Sequence, residues 1–351
     1  MVATWEGCDW AAVDVLVVVV TYRGGPALRR CLDGLAGQRA PSGLDGEARR
    51  PDERPSHHVL VVDNGDVPAT REVLLESSGD PAVDVVTPGR NLGFSAGANI
   101  GLRAASAAWE QGLWPRGLVV LVNDDAVPRP DFLARLWRAH QEAGPSVGAF
   151  AATMLLSQDQ DRVNSTGTVV TRLGSARDRD AGRLLAEVRP GERVFGFCGG
   201  AAGLRPAALS AAGVFEDEWF LYYEDVDLSW RLRAAGLDVL HVPGAVAVHE
   251  LAASSGTTSP VFRFHNDRNW LTTFTRHGPA GLVWRRWLRF PFAVLAHALR
   301  ATTRPLVPWR LRAGRDAFVR LPRTLAERRR LWSGREDRRR AVATRWLGRD
   351  R

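Results

Sequence analysis

Val13 to Val20 reads VDVLVVVV, with no polar residue after Asp14. A run of β-branched and apolar residues this unbroken fits a strand covered on both faces, as in a parallel sheet. Val59–Val62 and Leu118–Val122 repeat the pattern, and Val83–Thr87 adds a short strand. The two longer repeats end in polar residues, Asp63-Asn64-Gly65 and Asn123-Asp124-Asp125. Between the strands, Pro26–Gly37 spaces Leu28, Leu32 and Leu35 as a helix does. Ser95–Gln111 reads as a helix capped by Ser95 or by the glycine turn before it, and Pro130–Ala143 as a helix with proline in its first turn. Residues 39–58, rich in Pro, Gly, Arg and Asp, read as a loop. This alternation to about residue 150 predicts an α/β fold with an open, mostly parallel, Rossmann-like sheet. In such sheets ligands bind outside the carboxyl ends of the strands, where the acidic residues fall.

From 151 to 279 the pattern is mixed. Strands are expected around Val147–Leu155 and Val163–Val170, then an arginine-rich, turn-like stretch over 172–193 and a glycine-rich turn over 196–203. A helix from Pro206, a helix over Asp225–Ala235 and a strand over Val239–Val242 follow. Three cysteines, Cys8, Cys31 and Cys198, with no CxxC pair argue against a disulfide scaffold or zinc-thiolate site and suit a reducing compartment. Met1–Asp14 carries acidic residues and no apolar core, so it does not read as a signal peptide. A spanning helix needs about 20 apolar residues. The best stretch, Leu282–Leu299, is broken by Arg285, Arg286 and Arg289 and is not expected to span.

Charge is unevenly spread. Residues 280–351 hold 20 arginines against 5 acidic residues, a net of +15, which leaves −7 for residues 1–279 of a chain whose formal charge is +8. This tail interleaves Trp284, Trp287, Trp309, Trp332 and Trp346 with its arginines and is broken by Pro291, Pro305 and Pro308. Such a composition suits an interfacial, non-spanning contact with an anionic membrane; a solvated helical face and a nucleic-acid contact are the other readings. The division expected is therefore 1–279, with a nucleotide-binding half at 13–150 and an acceptor half at 151–279, followed by a helical basic extension at 280–351.

Adjacent carboxylates at Asp124 and Asp125, closing an apolar strand, can ligate a divalent cation and accept sugar hydroxyls; a solvated turn is the plainer explanation. Asp63 can hydrogen-bond a base or ribose, or form an Asx-turn with Asn64 and Gly65. In Pro88–Gly101, Gly93 and Gly97 would let the backbone approach a ligand, and Arg90 and Asn99 offer polar contacts; a helix-packing glycine pair is the alternative. Glu218–Arg233 sets Glu224, Asp225 and Asp227 after Trp219, Tyr222 and Tyr223. That places carboxylates at a helix N-terminus beside an aromatic wall, as a general base or as simple caps. His249 closes a strand and, with the carboxylate pair, suits a Mn²⁺-type site with open positions.

Taken together and in this order, these segments resemble the inverting family 2 glycosyltransferases of GT-A fold, especially bacterial rhamnosyltransferase-like and galactofuranosyltransferase-like members. The matching pieces are Val17–Tyr22, Val61–Asn64, Asn91–Asn99, Asn123–Ala126, Tyr222–Leu228, His249 and Asn266–Asn269. The resemblance implies that Thr21 and Tyr22 lie beside the nucleotide, that Asp63 binds its base and that Arg90, Asn91, Gly97 and Asn99 line the donor cleft. It implies Asp124 on the ribose or donor sugar, Asp125 and His249 on a divalent metal (Mn²⁺ or Mg²⁺) and Asp225 as catalytic base. Acceptor contacts are expected from Gly199, Gly200, Trp219, Tyr223, Glu224 and Arg231. The implied activity moves a sugar from a nucleotide-diphosphate donor, such as dTDP-rhamnose, to a lipid-linked or polysaccharide acceptor in cell-envelope synthesis. The protein would act without nucleic acid, in the cytoplasm, peripheral on the inner face of the plasma membrane.

Two other functions compete for the same features. A sugar-nucleotide nucleotidyltransferase would carry a glycine-rich basic loop after the first strand, which Tyr22-Arg-Gly-Gly-Pro-Ala lacks. A nucleic-acid-binding protein would use the basic tail but leave Asp63, Asp124, Asp125 and Asp225 without a role.

Overall fold

The computed structural model describes residues 5–40, 54–77, 79–172, 174–189, 191–250 and 259–348; most of the loop expected over 39–58 lies outside them. Strands β1 (Val15–Thr21), β2 (His57–Asp63), β3 (Val83–Val86) and β4 (Leu118–Asn123) lie parallel in the order β3-β2-β1-β4. The pleat explains the long apolar run in β1. Val15, Val17 and Val19 turn to one face, against α1 (Gly25–Ala36), α2 (Pro68–Ser77) and other helices, whereas Leu16 and Val18 turn to the opposite face and α3 (Gly93–Glu110). The helix α4 (Phe132–Glu142) joins the first layer through Phe132, Leu133 and Leu136. Burying each such side chain contributes about 1.5–3 kcal/mol relative to exposure. Gly97 and Gly101 let α3 lie on β1: a Cβ on Gly101 would stand 2.5 Å from Val18 Cγ2, and one on Gly97 2.9 Å from Val20 Cγ1.

After β5 (Ala126–Pro128), the second half builds β6 (Val147–Leu156), β7 (Asp159–Ser165), β8 (Thr168–Val170), β9 (Ala176–Asp178), β10 (Arg193–Val194), β11 (Ala201–Leu204) and β12 (Asp238–His249). The sheet runs β10-β12-β6-β11-β4-β1-β2-β3, with β11 antiparallel to both β4 and β6 and thus joining two parallel parts. β5 pairs with β12 and β7 with β6, while β8 and β9 form a separate hairpin.

Several expected elements are corrected. The strand expected over Val163–Val170 divides into β7 and β8, because Gly167 turns the chain at φ +117°. The stretch over 172–193 includes β9 and is not all turn, and the strand expected over Val239–Val242 continues to His249. Helix α3 begins at Gly93, and Ser95 is a buried interior residue rather than the cap, its N–H donating to the Phe220 carbonyl at 3.3 Å. Pro130 precedes α4, which begins at Phe132.

The remaining helices are α5 (Pro206–Ala212), α6 (Glu224–Ala235), α7 (Pro260–His277), α8 (Ala280–Ala298), α9 (Val307–Val319), α10 (Leu321–Trp332) and α11 (Glu336–Trp346). Trp332 of α10 and Val342 of α11 enter one apolar cluster with Trp230 of α6 and Phe274 of α7. The Arg338 guanidinium of α11 donates to the Ala234 carbonyl at the end of α6, and that of Arg233 stacks on Trp346 at 4.7 Å. The last two helices therefore clasp the body, while α8 and α9 turn a different surface outward.

Candidate active site

Register alone aligns the strand ends. Thr21 of β1 stands opposite Asp63 of β2, and Val20 opposite Asn123 of β4. The Thr21 hydroxyl donates to Asp124 Oδ2 at 2.7 Å and receives the Gly24 N–H at 3.1 Å, which fixes Asp124 at the mouth between β1 and β4. Burial pushes the Asp124 carboxyl up to about 6, against the Thr21 hydrogen bond. Asp63 is buried and its Oδ1 receives the Gly65 and Asp66 N–H groups at 3.1 and 2.9 Å, the Asx-turn that is the simpler of the two roles open to this motif. Tyr22, 43% exposed, lies beside it.

Asp125 Oδ1 is 3.0 Å from His249 Nε2, and His249 Nδ1 is 2.8 Å from Asn164 Oδ1. Both ring nitrogens thus face oxygen acceptors, and a neutral imidazole has one N–H to give. A carboxylate oxygen and an imidazole nitrogen are the donor set a Mn²⁺-type ion accepts. Among the described residues no group of three or more His, Cys, Asp or Glu is placed to hold a metal ion, so the protein's side of such a site would be this pair alone.

Asp225 sits in the first turn of α6, half-buried. Its Oδ2 receives the Gly199 N–H at 3.0 Å and its Oδ1 the Val226 N–H at 2.7 Å. The next residue, Gly200, accepts the Asn123 N–H through its carbonyl at 2.9 Å, so two hydrogen bonds link Asp225 to the Asn123-Asp124-Asp125 strand end. Burial raises the Asp225 carboxyl to about 6; the Gly199 N–H works against this and the Asp178 charge adds to it. Burial also raises the neighbouring Glu224 carboxyl, with Asp225 contributing. Glu224 keeps one buried oxygen, Oε2, without a hydrogen-bond partner.

The loop before α6 is strained. Leu221 N–H donates to the Trp219 carbonyl at 2.6 Å around Phe220 at φ 64°, ψ −59°, a tight left-handed γ-turn. Tyr222 and Tyr223 also have φ of 69°. Each such non-glycine residue costs about 1–3 kcal/mol, offset by surrounding contacts.

Several expected ligand contacts have other partners. Asn99 is fully buried and spends its amide on the Phe215 backbone and Asp217, tying α3 to the 215–217 segment, so it is not free to line a donor cleft. Arg231 donates to Asp227 and to the Ala212 and Val214 carbonyls, a structural role in place of the expected acceptor contact. Gly97 serves helix–sheet packing. Trp219 is 4% exposed, and Tyr223 is buried with its hydroxyl on the Ala176 N–H. Asn91 Oδ1 receives the Gly93 N–H at 2.8 Å, shaping the entry to α3, and Arg90 is exposed in the loop before it.

One further residue carries no signal in the amino-acid order. Asp178, at the end of β9, lies near enough to His249 and Asp225 for their charges to interact. Only pairing of β9 with β8 brings it there, and its arginine-rich surroundings in the sequence carry no signal.

The family model described as Glycosyl transferase family 2 matches residues 16–209, and that of Glycosyl transferase family group 2 matches residues 118–313. The N-acetylglucosaminyl-diphospho-decaprenol L-rhamnosyltransferase of Mycobacterium tuberculosis (strain ATCC 25618 / H37Rv) is 28% identical over 304 residues, 82% of this chain and 93% of that protein. A galactofuranosyltransferase of Mycolicibacterium smegmatis is 26% identical over 291 residues, 79% of this chain and 88% of its own. Among solved structures, GalNAc-T7 with UDP, GalNAc and Mn²⁺ superposes with a TM-score of 0.53 at 11% identity, over 89% of this chain and 57% of that one. A mannosyltransferase from Pyrobaculum calidifontis in complex with GDP-Man and Mn²⁺ gives 0.47 at 17%, over 95% and 86%. The fold is of GT-A type.

Proposed function

The chain belongs to glycosyl transferase family 2 and is a glycosyltransferase; we propose that it is an inverting, divalent-metal-dependent enzyme that moves rhamnose from a dTDP donor to a hydroxyl of a lipid-linked or polysaccharide acceptor in cell-envelope synthesis. The observation that carries this reading is the bridge from Asp225 through Gly199 and Gly200 to Asn123, which sets one ionisable carboxylate beside the Asp124-Asp125 strand end. The names of the mycobacterial relatives support the sugar class and a lipid-linked acceptor.

Asp225 would take the proton of the acceptor hydroxyl as its oxygen bonds to the anomeric carbon. The bond from that carbon to the diphosphate breaks on the opposite face, the nucleoside diphosphate leaves, and the anomeric configuration inverts. One carboxylate suffices for a single displacement, whereas retention by double displacement needs a second as nucleophile. Asp125 and His249 would hold the divalent cation, which when bound neutralises the diphosphate. Thr21 would hold Asp124 toward the ribose or donor sugar; Tyr22, Asp63, Arg90 and Asn91 would complete the donor side, and Gly199, Gly200 and Glu224 would lie on the acceptor side.

The decisive assay offers dTDP-, UDP- and GDP-sugars with Mn²⁺ or Mg²⁺ and N-acetylglucosaminyl-diphospho-decaprenol as acceptor. Transfer from dTDP-rhamnose with an inverted anomeric centre, lost on chelation, is expected. Turnover that withstands chelation, or a product of retained configuration, would refute the mechanism.

A lipid-linked acceptor fits a peripheral position on the inner face of the plasma membrane. No described helix is long and apolar enough to cross a bilayer. Along α8 and its C-cap, Trp284, Leu288, Phe292, Leu295 and Leu299 recur at helical spacing, each more than half exposed, flanked by exposed Arg285, Arg289 and Arg300. An apolar stripe edged by arginine matches an interfacial helix, and each arginine near anionic lipid adds about 1 kcal/mol. Trp332 and Val342 are spent on the body, so the docking role falls to α8 with the exposed Leu311, Phe318 and Val319 of α9. The double substitution Leu288→Glu and Phe292→Glu should release the protein from phosphatidylglycerol vesicles in sedimentation. Undiminished pelleting would exclude this face.

A further inference from the structure

We propose that Asn269 and Arg268 of α7 are positioning residues for Asp225, holding the strained Phe220–Tyr223 loop in the shape that presents this carboxylate. The assignment rests on the reading of Asp225 as base but draws on separate observations. Asn269 Nδ2 lies within hydrogen-bond reach of three carbonyls of one loop, those of Trp219, Leu221 and Tyr222, at 3.0, 2.9 and 2.7 Å. Its Oδ1 receives the Arg268 Nε–H at 2.8 Å, which orients the amide so that its NH₂ meets the loop. Arg268 Nη2 donates to the Glu218 and Trp219 carbonyls, both at 2.9 Å. Both residues are buried. A turn that bends against its own steric preference thus spends the carbonyls of Glu218, Trp219, Leu221 and Tyr222 on two side chains of another helix.

The geometry dictates which side chains can serve. A carboxylate at 269 would bring negative charge against three carbonyl oxygens, and a shorter side chain would take the amide donor from the Leu221 and Tyr222 carbonyls. On the far side of the loop, the Phe220 carbonyl receives the Ser95 N–H at 3.3 Å and the Phe220 ring stacks on His265 at 4.9 Å. A Cβ at Gly93 would stand 2.5 Å from that carbonyl, so α3 closes on the loop from there. Helix α7 is itself braced by the C-terminal extension: Arg310 of α9 pairs with Asp267 at 2.8 Å, and Glu327 of α10 with Arg276 at 2.5 Å. The extension therefore bears on the base through α7 without touching the reacting atoms.

Asn269→Ala and Arg268→Lys in the full chain test this, read by two measurements. The first is release of nucleoside diphosphate from dTDP-rhamnose with N-acetylglucosaminyl-diphospho-decaprenol as acceptor. A displaced base should lower kcat about 100-fold in Asn269→Ala with the donor KM little changed, and Arg268→Lys, which keeps one donor toward the carbonyls, should lose less. The second is amide hydrogen exchange, which needs no substrate. Exchange over 221–226 should accelerate in Asn269→Ala while β1 and β4 keep their protection. Wild-type kcat in Asn269→Ala, a donor KM that worsens in step with kcat, or unchanged exchange over 221–226 would each overturn the assignment. A wild-type protein that turns over none of the nucleotide sugars would defeat the donor and acceptor reading instead, and the exchange measurement would still decide the role of Asn269.

Discussion

Asp225→Asn is expected to lower sugar transfer by about 10²–10⁴-fold, the contribution of a positioned general base, while donor nucleotide still binds. The amide keeps the size of the carboxylate and can still accept one of the two N–H groups, from Gly199 or Val226, that hold it. It cannot accept the proton of the acceptor hydroxyl. The pH profile follows from the same environment. Burial raises the Asp225 carboxyl to about 6, so wild-type kcat should rise with pH through an acid limb near that value and level above it. The sign for stability is opposite to that of a salt-bridged aspartate. The folded protein keeps this proton up to about pH 6 while the unfolded chain releases it near 3.9, so ionising Asp225 opposes folding as pH rises through that window. Removing that titration offsets part of the cost of the one N–H that the amide leaves unmatched, so Asp225→Asn should melt close to wild type at pH 7. An enzyme that keeps transfer in this variant removes Asp225 from the chemistry; one that loses activity together with several degrees of melting temperature attributes the loss to the fold.

Asp227→Asn should act in the reverse manner, destabilising the protein by about 3–5 kcal/mol, as expected when one partner of a buried ion network is removed. Asp227 is fully buried. Its Oδ2 receives Arg231 Nε–H at 2.9 Å, and its Oδ1 meets Arg276 Nη1 at 2.8 Å and His277 Nε2 at 2.9 Å. Burial alone would raise its carboxyl; the guanidiniums of Arg276 and Arg231, with His277, overcome this and hold it well below the usual carboxylate range. Burial keeps His277 neutral at pH 7, lowering it to about 4. A depressed folded-state value means that the stabilisation is present above the unfolded pKa of about 3.9 and is lost only as pH falls further. The gap between wild type and variant in urea unfolding should be full at pH 7 and shrink in acid. A difference under about 1 kcal/mol at pH 7 would show that the network is no more than neutral to the fold.

Much of the site is legible in the amino-acid sequence. Asp63, Asp124 and Asp125 each end an apolar run, and a parallel sheet gathers strand ends on one edge. His249 stands 3.0 Å from Asp125, a contact between residues 124 positions apart that spacing alone does not reveal. Asn99 and Arg231 go the other way. Asn99 ends a segment that resembles the family and Arg231 follows one by a single turn, yet what they bond is settled by Phe215, Asp217, Ala212 and Val214. A polar residue in a motif is equally fit to hold a ligand or a loop, and spacing does not separate the two.

By itself, then, the amino-acid order determined the α/β class and the carboxylates that gather along one sheet edge, because side-chain period and chain polarity are local properties of a strand. Only the tertiary structure decided that β11 joins the two parallel parts, that Asp178 comes near Asp225 across a hairpin, that Asn269 grips a strained loop, and that the basic tail divides into two helices that clasp the body and two that turn apolar side chains outward. Each of these depends on partners tens to hundreds of residues away, and a buried donor, charge or apolar stripe has no role until the fold supplies what lies opposite it.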